Sequence, residues 1–312
     1  MRRSLLRLPC LLFLCAPAVA AQGVVEATEY LDFDRTEAWA MASVDASTLM
    51  TGFGATPKLA AGAWQLAAEL GHVPRLDPRE QRVGLGGSKQ EDLNKSPVFG
   101  RLRGWFGLPG GFVAELGWTP PVAIDGVRAR DLVAVALGRR LHDGQRWDWS
   151  LRLHGQHGRA GGDITCAAAL VGAPAGDNPF ACVAPSDDRI RLNHYGLDTT
   201  LGWKWGDAWR GHATLGAVRA ELEARVDAEL ATHRDRTRLV TRGTLRYLAL
   251  GASRPLSPRW SLASELLYVP LAVRRDPAGR TNDGYWSIRL ALRFRPRAQP
   301  AVASIFLARV VQ

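Results

Sequence analysis

Residues Trp147 to Gln156 read Trp-Asp-Trp-Ser-Leu-Arg-Leu-His-Gly-Gln. The odd positions up to Leu153 are aromatic or aliphatic, and the even ones are Asp148, Ser150, Arg152, His154 and Gln156. Successive side chains of a strand point to opposite faces, so this period of two describes a strand with one apolar face and one polar, charged face. A soluble sheet would bury the apolar face. Recurrence of the pattern along the chain therefore decides the fold.

It does recur. Trp64, Leu66, Ala68 and Leu70 alternate with Gln65 and Glu69 from Gly62 onwards. Val98, Leu102, Phe106 and Leu108 oppose Arg101 and Arg103, and Phe112, Ala114, Leu116 and Trp118 oppose Glu115 and Thr119 across a tight turn at Pro109-Gly110-Gly111. Val133, Val135 and Leu137 alternate with Ala134 and Ala136. Beyond the opening stretch come Tyr195, Leu197, Leu201, Trp203 and Trp205 against Asp198, Thr200 and Lys204. Trp209, Ala213 and Leu215 start another strand, but from Val218 the apolar positions become even (Ala220, Leu222), a slip that a β-bulge would produce. Ala220 to Ala231 reads as an outer-loop region with room for a short helix. Leu239, Leu245 and Tyr247 oppose Arg242 and Arg246, Trp260, Leu262, Leu266 and Tyr268 oppose Glu265, and Trp286, Ile288, Leu290, Leu292 and Phe294 oppose Arg289 and Arg293.

That makes about ten strands, the even number that a bacterial single-chain barrel needs. Short connections near Gly110, Gly144, Asp207 and Pro258 alternate with longer ones at Pro74–Ser96, Pro120–Arg128, Gly158–Asp188, Asp227–Arg236 and Val273–Asp283, as barrels with short periplasmic turns and long outer loops do. Trp105, Trp147, Trp149, Trp203, Trp205, Trp209 and Trp260 lie near the short turns and read as a periplasmic aromatic girdle, with Tyr268 and Tyr285 at the outer one. A secreted β-sandwich also alternates, but its outer face would not carry Trp, Leu and Phe on nearly every strand. The expected fold is all-β, a transmembrane antiparallel up-and-down β-barrel.

An export signal precedes these strands. Arg2, Arg3 and Arg7 are followed by an apolar run from Leu8 to Val19 and by Ala18-Val19-Ala20, the order of a secretory signal peptide. The run is too short to span a bilayer, and no later stretch approaches the ~20 apolar residues of a membrane helix. Cys15 follows Leu14, where a lipoprotein site wants a small residue, so cleavage after Ala20 is expected. Loss of the three arginines takes the formal charge from +10 to +7. The mature chain stays basic, but its arginines are dispersed along strands, which argues for anionic lipid, lipopolysaccharide or anionic solutes as partners and against nucleic acid. The expected layout is a signal peptide at 1–20, an N-terminal periplasmic or plug segment at 21–61, the barrel at 62–295 and a C-terminal extension at 296–312. Ala38 to Met50, Ala-rich and without alternation, reads as a short helix, a plug or an extra strand, and both chain ends are expected in the periplasm of a Gram-negative cell, with the barrel in the outer membrane.

Cys166 and Cys182 are the two cysteines beyond the signal, and they are expected to pair across an Ala-, Pro- and Gly-containing outer loop in an oxidising compartment. Two cysteines without a nearby histidine make no tetrahedral metal site, and no cofactor motif is found. Gly84-Leu85-Gly86-Gly87-Ser88-Lys89 lacks the spacing of a phosphate loop and reads as flexible loop.

The expected lumen lining is Arg101, Arg103, Glu115, Arg152, His154, Asp198, Lys204, Arg242, Arg246, Glu265, Arg289 and Arg293. Basic groups outnumber acids, so the set would make a constriction favouring small anionic or amphipathic solutes. The same residues would alternatively pair across the lumen and fill it. Catalysis would need a nucleophile or paired acids beside a base. Ser150 with His154, and His194 with Asp198, lie four apart on one strand face, about 13 Å, too far to bond directly, and no catalytic residue is assigned. The Asp-x-His element of an omptin-type protease is missing, since Arg210 stands two before His212. The stretch Gly107 to Gly126 resembles strand-turn-strand pieces of transporter-type outer-membrane proteins, including the long-chain fatty acid transporter group. That resemblance implies a barrel for passive transport, inserted by the barrel assembly machinery. A surface structural or adhesive barrel with a stapled loop, or a lipid-modifying enzyme, are the other readings. Phe294 resembles the terminal aromatic of barrel assembly signals, although Arg295 to Gln312 follow it.

Overall fold

The computed structural model describes residues 23–206, 208–275 and 278–296. The expected signal peptide and residues 297–312 of the expected C-terminal extension lie outside that range. Ten antiparallel strands form the body: β1 (Trp64–His72), β2 (Val98–Gly107), β3 (Phe112–Trp118), β4 (Val127–Asp143), β5 (Trp147–Gly162), β6 (Asp188–Trp205), β7 (Trp209–Arg225), β8 (Arg238–Pro255), β9 (Trp260–Val269) and β10 (Tyr285–Phe294). Each pairs with its neighbours in chain order, and β10 pairs with β1 from Leu66↔Phe294 to Gly71↔Arg289, which closes the barrel. Within the closed band no sheet edge is left open, the only way strands can cross lipid with every backbone group bonded. No described helix is long and apolar enough to cross a membrane.

The outer face is apolar around the circumference. Leu153, Leu215 and Ile288 are 56%, 60% and 61% exposed, in rows with Trp64, Leu70, Leu116, Val135, Leu197, Leu250 and Leu266. Monomeric soluble proteins rarely expose so large a continuous apolar surface. The walls are unequal in height: β4 to β8 run 16–18 residues, whereas β1, β2, β3, β9 and β10 run 7–10. The tall wall bends at a bulge where the β4–β5 register shifts between His157 and Arg159. Gly158 there has φ +146°, and a Cβ on it would come within 2.4 Å of the Asp131 carbonyl oxygen, so the bulge requires glycine.

The N-terminal segment threads the barrel. Gly23–Val25 pairs with His233–Asp235 among the long loops, and Thr28–Leu31 pairs in parallel with the start of β8. Helix α1 (Thr36–Thr48) then descends inside the barrel, and residues 49–60 reach the short-turn end where β1 begins. The first described residues and the end of β10 therefore lie at opposite ends of the barrel, not both on the periplasmic side as the sequence reading expects. Phe33 packs on Gly243 of β8 so closely that any Cβ would fall 2.2 Å from its ring.

α1 is buried on all sides, and Ala38, Ala42 and Ala46 are at most 1% exposed. Its polar residues Thr36, Glu37, Asp45, Ser47 and Thr48 are buried together with its alanines, so the helix carries no one-sided apolar stripe for a sequence to show. It packs on Phe99, Leu132, Leu192, Val218, Leu222, Leu245, Tyr247, Leu267, Val269 and Tyr285. Several of these were expected on the lipid face. β7 pairs with β6 and β8 without a register break, so there is no bulge at Val218, and the strand continues to Arg225 without a helix. The apolar residues of β7 instead move from the outer to the inner face, because the helix offers a second apolar surface. For the same reason Leu245 and Tyr247 face inward, and Arg242 and Arg246 face outward, correcting their place in the lumen lining. Tyr285 also faces inward, and Trp105 is 4% exposed inside the barrel.

Candidate functional site

The short-turn half of the lumen is polar. Five arginines, from β2 (Arg101, Arg103), β5 (Arg152) and β10 (Arg289, Arg293), point at the chain where α1 ends. Arg289 donates to the carbonyls of Ala46 (2.9 Å), Ser47 (3.1 Å) and Leu49 (2.5 Å), and Arg101 to that of Thr48 (2.5 Å). Arg152 donates to Met50, Arg103 to Thr51 (2.7 Å), and Arg293 to Gly52 (3.2 Å) and Phe53 (2.6 Å). Eight consecutive carbonyls, 46 to 53, are thereby held. The last carbonyls of a helix have no partner within it and carry the negative end of its dipole, so guanidinium groups satisfy both needs.

Buried acids balance these cations. Arg152 bonds Asp198 at 2.6 Å and Glu115 at 2.9 Å. Arg103 bonds Glu115 and, at 3.2 Å, Glu69. Thr51 donates to Glu265, which lies 3.5 Å from His212. His194 bonds Asp45 of α1 at 2.8 Å, and Gln156 bridges Arg101 and Thr48. Charged hydrogen bonds to more than one partner are the condition under which buried ions are tolerated. The space left beside Glu115, Arg152 and Asp198 is about 10 Å³, no more than one water occupies.

Of the expected lining, Arg101, Arg103, Glu115, Arg152, His154, Asp198, Glu265, Arg289 and Arg293 come together inside the barrel. Lys204 sits at the rim, donating to the Gly144 carbonyl at 3.1 Å. Arg242 and Arg246 are outside. The sequence reading missed Asp45, Thr48 and the carbonyls of 46–53, because backbone acceptors leave no trace in residue type. Ser150 with His154, and His194 with Asp198, make no direct pairs. Ser150 Oγ accepts from the Thr56 amide, the Tyr247 hydroxyl bonds both His154 and Asp198, and His194 is taken by Asp45. Among the described residues no group of histidine, cysteine and acidic side chains is arranged to hold a metal.

Cavities lie at the two ends. At the short-turn end a vestibule of about 650 Å³ is lined by the chain from Phe53 to Lys58 and by Arg140, Lys204, Arg210, Arg254 and Arg259. Its Asp143 is taken by Lys58 at 2.7 Å and Arg140 at 2.9 Å. At the long-loop end a cavity of about 620 Å³ opens between Thr28, Arg189, Asp227 and Arg238. The loops there form a tied crown. Cys166 and Cys182 are disulfide-bonded, with Cα atoms 5.8 Å apart, and pack on Ala228. Asp188 accepts from the amides of Ile164 and Thr165, and Lys89 donates to the Thr165 carbonyl at 2.8 Å. The glycine-rich turn Gly84–Gly87 is also engaged, with the Gly86 amide donating to Glu37 of α1 at 2.6 Å. Burial pushes the Glu91 carboxyl up to about 7, against the opposing pull of Lys89 at 2.9 Å.

No family model matches the chain, and no curated protein matches it. Among solved structures it is similar to the outer membrane protease OmpT from Escherichia coli, with 10% identity, a TM-score of 0.37, and 75% of this chain and 91% of that one covered. It is also similar to Neisserial surface protein A (10% identity, TM-score 0.29, 75% and 97% covered) and to the Pseudomonas putida toluene transporter TodX (12% identity, TM-score 0.31, 77% and 69% covered). These likenesses carry no argument about activity.

Proposed function

We propose that the protein is a barrel of the bacterial outer membrane that its own N-terminal segment keeps shut, and that it acts as a surface structural barrel through its stapled crown. The apolar exterior supports the membrane placement. So do Trp147, Trp149, Trp205, Trp209 and Trp260 around the short-turn end and the Tyr268–Trp286 stack, 4.1 Å between centroids, near the long loops. Barrels of this kind put short turns in the periplasm and long loops outside, which supports a crown at the cell surface.

The observation that carries the closed state is the capture of eight consecutive carbonyls by five arginines. An open pore would leave those guanidinium groups to the solute. Single-channel recording on the full-length chain in planar bilayers tests it. The expected trace is silent, and a steady, voltage-independent current would overturn the reading.

One feature favours a second reading, a gated passage for small anionic or amphipathic solutes. In the vestibule Lys204, Arg210, Arg254 and Arg259 have no acid partner among the described residues, and a basic mouth concentrates anions. Loosening the segment with Arg289→Ala separates the two. Anion-selective openings support the gate, whereas continued silence with the barrel intact supports the closed barrel.

A further inference from the structure

A membrane strand needs about 9–11 residues, so β4 to β8 stand several residues beyond the apolar band on one side of the barrel. The outward apolar rows of β7 and β8 end at Ala217 and Leu248, and the outward positions next beyond them hold Arg219 and Glu221 on β7 and Arg246, Thr244 and Arg242 on β8. The register pairs Arg246 with Ala217, Arg219 with Thr244 and Arg242 with Glu221. Arg219 is therefore diagonal to both other arginines, at about 7–8 Å, and Arg242 and Arg246 are four residues apart on one strand face, about 13 Å. Glu221 lies 3.5 Å from Arg242. Arg219 and Arg246 have no acid within 4 Å among the described residues. Tyr195, 64% exposed, stands beside Arg219 on β6, where an amphipathic ring marks the membrane interface.

We infer that Arg219, Arg242 and Arg246 form a binding site for the headgroup of a bis-phosphorylated glycolipid of the outer leaflet. The inference rests on the membrane placement proposed above. Guanidinium groups match phosphate oxygens bidentately. Arg219 and Arg246 clamp one phosphate, and Arg242 reaches a second. A spread of about 13 Å is more than one phosphodiester fills, which selects a headgroup with phosphates at both ends of a disaccharide over a glycerophospholipid.

The test uses the full-length chain refolded in neutral detergent and titrated with lipid A bearing both phosphates, with dephosphorylated lipid A, with phosphatidylglycerol and with inorganic phosphate. Bis-phosphorylated lipid A is expected to bind, and the Arg219→Gln/Arg246→Gln double variant is expected to weaken it about tenfold or more. Arg159→Gln, an outward arginine on β5, should leave it unchanged. Equal binding of dephosphorylated lipid A or phosphatidylglycerol, undiminished binding by the double variant, or inorganic phosphate binding as tightly as the lipid would each overturn the assignment. Co-sedimentation with phosphatidylcholine vesicles separates the premise from the inference. A wild-type chain that stays in solution removes the membrane placement and the site with it. Wild-type and double variant that both insert while ignoring lipid A remove the site alone. Matching circular dichroism of the two chains guards against a folding defect.

Discussion

The two halves of the lumen are filled by opposite chemistry around one continuous segment. Near the long loops α1 is wrapped by Leu132, Leu192, Leu222, Leu245 and Leu267, and the packing is apolar. Near the short turns the helix has ended, and Arg101, Arg103, Arg152, Arg289 and Arg293 close on bare carbonyls. The difference follows the backbone's own needs. A helix bonds its peptide groups internally and asks only for apolar contact, whereas the chain beyond it presents unmet acceptors that must be given donors. The barrel wall answers each half with the residue type that half requires, and the inward phase of β7 and β8 changes accordingly.

The largest effect expected from breaking this contrast is in the polar half. Arg152→Ala strips Glu115 and Asp198 of a shared partner in a buried setting and should cost about 3–5 kcal/mol, read from urea unfolding of the barrel in detergent. A loss under about 1 kcal/mol, the range of an exposed pair, would mean that this half is not tightly paired. In the apolar half, Leu222→Ala should cost about 3 kcal/mol, since it opens a cavity against α1. Leu215→Ala, seven residues back on the same strand and 60% exposed, should cost under about 1 kcal/mol in the same assay, because it lies outside the packed core. Equal losses would contradict the inner and outer assignment of β7.

The crown above the apolar half should respond to pH. Glu91 has its carboxyl raised by burial to about 7 from an ordinary 4.5, so the folded state holds the proton more tightly than the unfolded chain. The stability it contributes is complete below about pH 4.5 and is lost as pH rises through 7, a swing of roughly 2–3 kcal/mol. Hydrogen exchange of the segment around Arg82 to Glu91, corrected for intrinsic rates, should show less protection at pH 8 than at pH 5. Equal protection would show that Lys89 compensates the buried charge. The smallest effect is expected at the surface. Arg159–Asp131, 3.0 Å but largely exposed, should change stability by no more than about 0.5 kcal/mol in Arg159→Ala.

Much of the barrel was legible because its signal is local. Alternation such as Trp147 to Leu153 needs no knowledge of neighbours, and all ten strands carry it. Cys166–Cys182 was legible because the two cysteines beyond the expected signal leave one pairing. Arg101, Arg103, Arg152, Arg289 and Arg293 were legible as inward residues, since they alternate with large apolar side chains on strands whose other face is exposed. Arg242 and Arg246 were not. They alternate with Leu245 and Tyr247 in the same way, but here the apolar partners face a helix and not lipid. Trp105 was misplaced for a related reason: it reads as a girdle residue near a turn, yet it lies inside, with the guanidinium carbons of Arg103 and Arg293 at 4.9 and 5.5 Å from its ring.

The strands, their number, the loop asymmetry and the disulfide can be read along the chain, because each rests on periodicity or residue type. Which face of β7 and β8 is inside, and the filling of the lumen, depend on α1 lying within the closed barrel. A period of two separates two faces without saying which is inner, and once α1 occupies the barrel there are two apolar surfaces to choose between. The acceptors that the arginines hold are main-chain carbonyls, common to every residue, so nothing in the order of side chains could announce them.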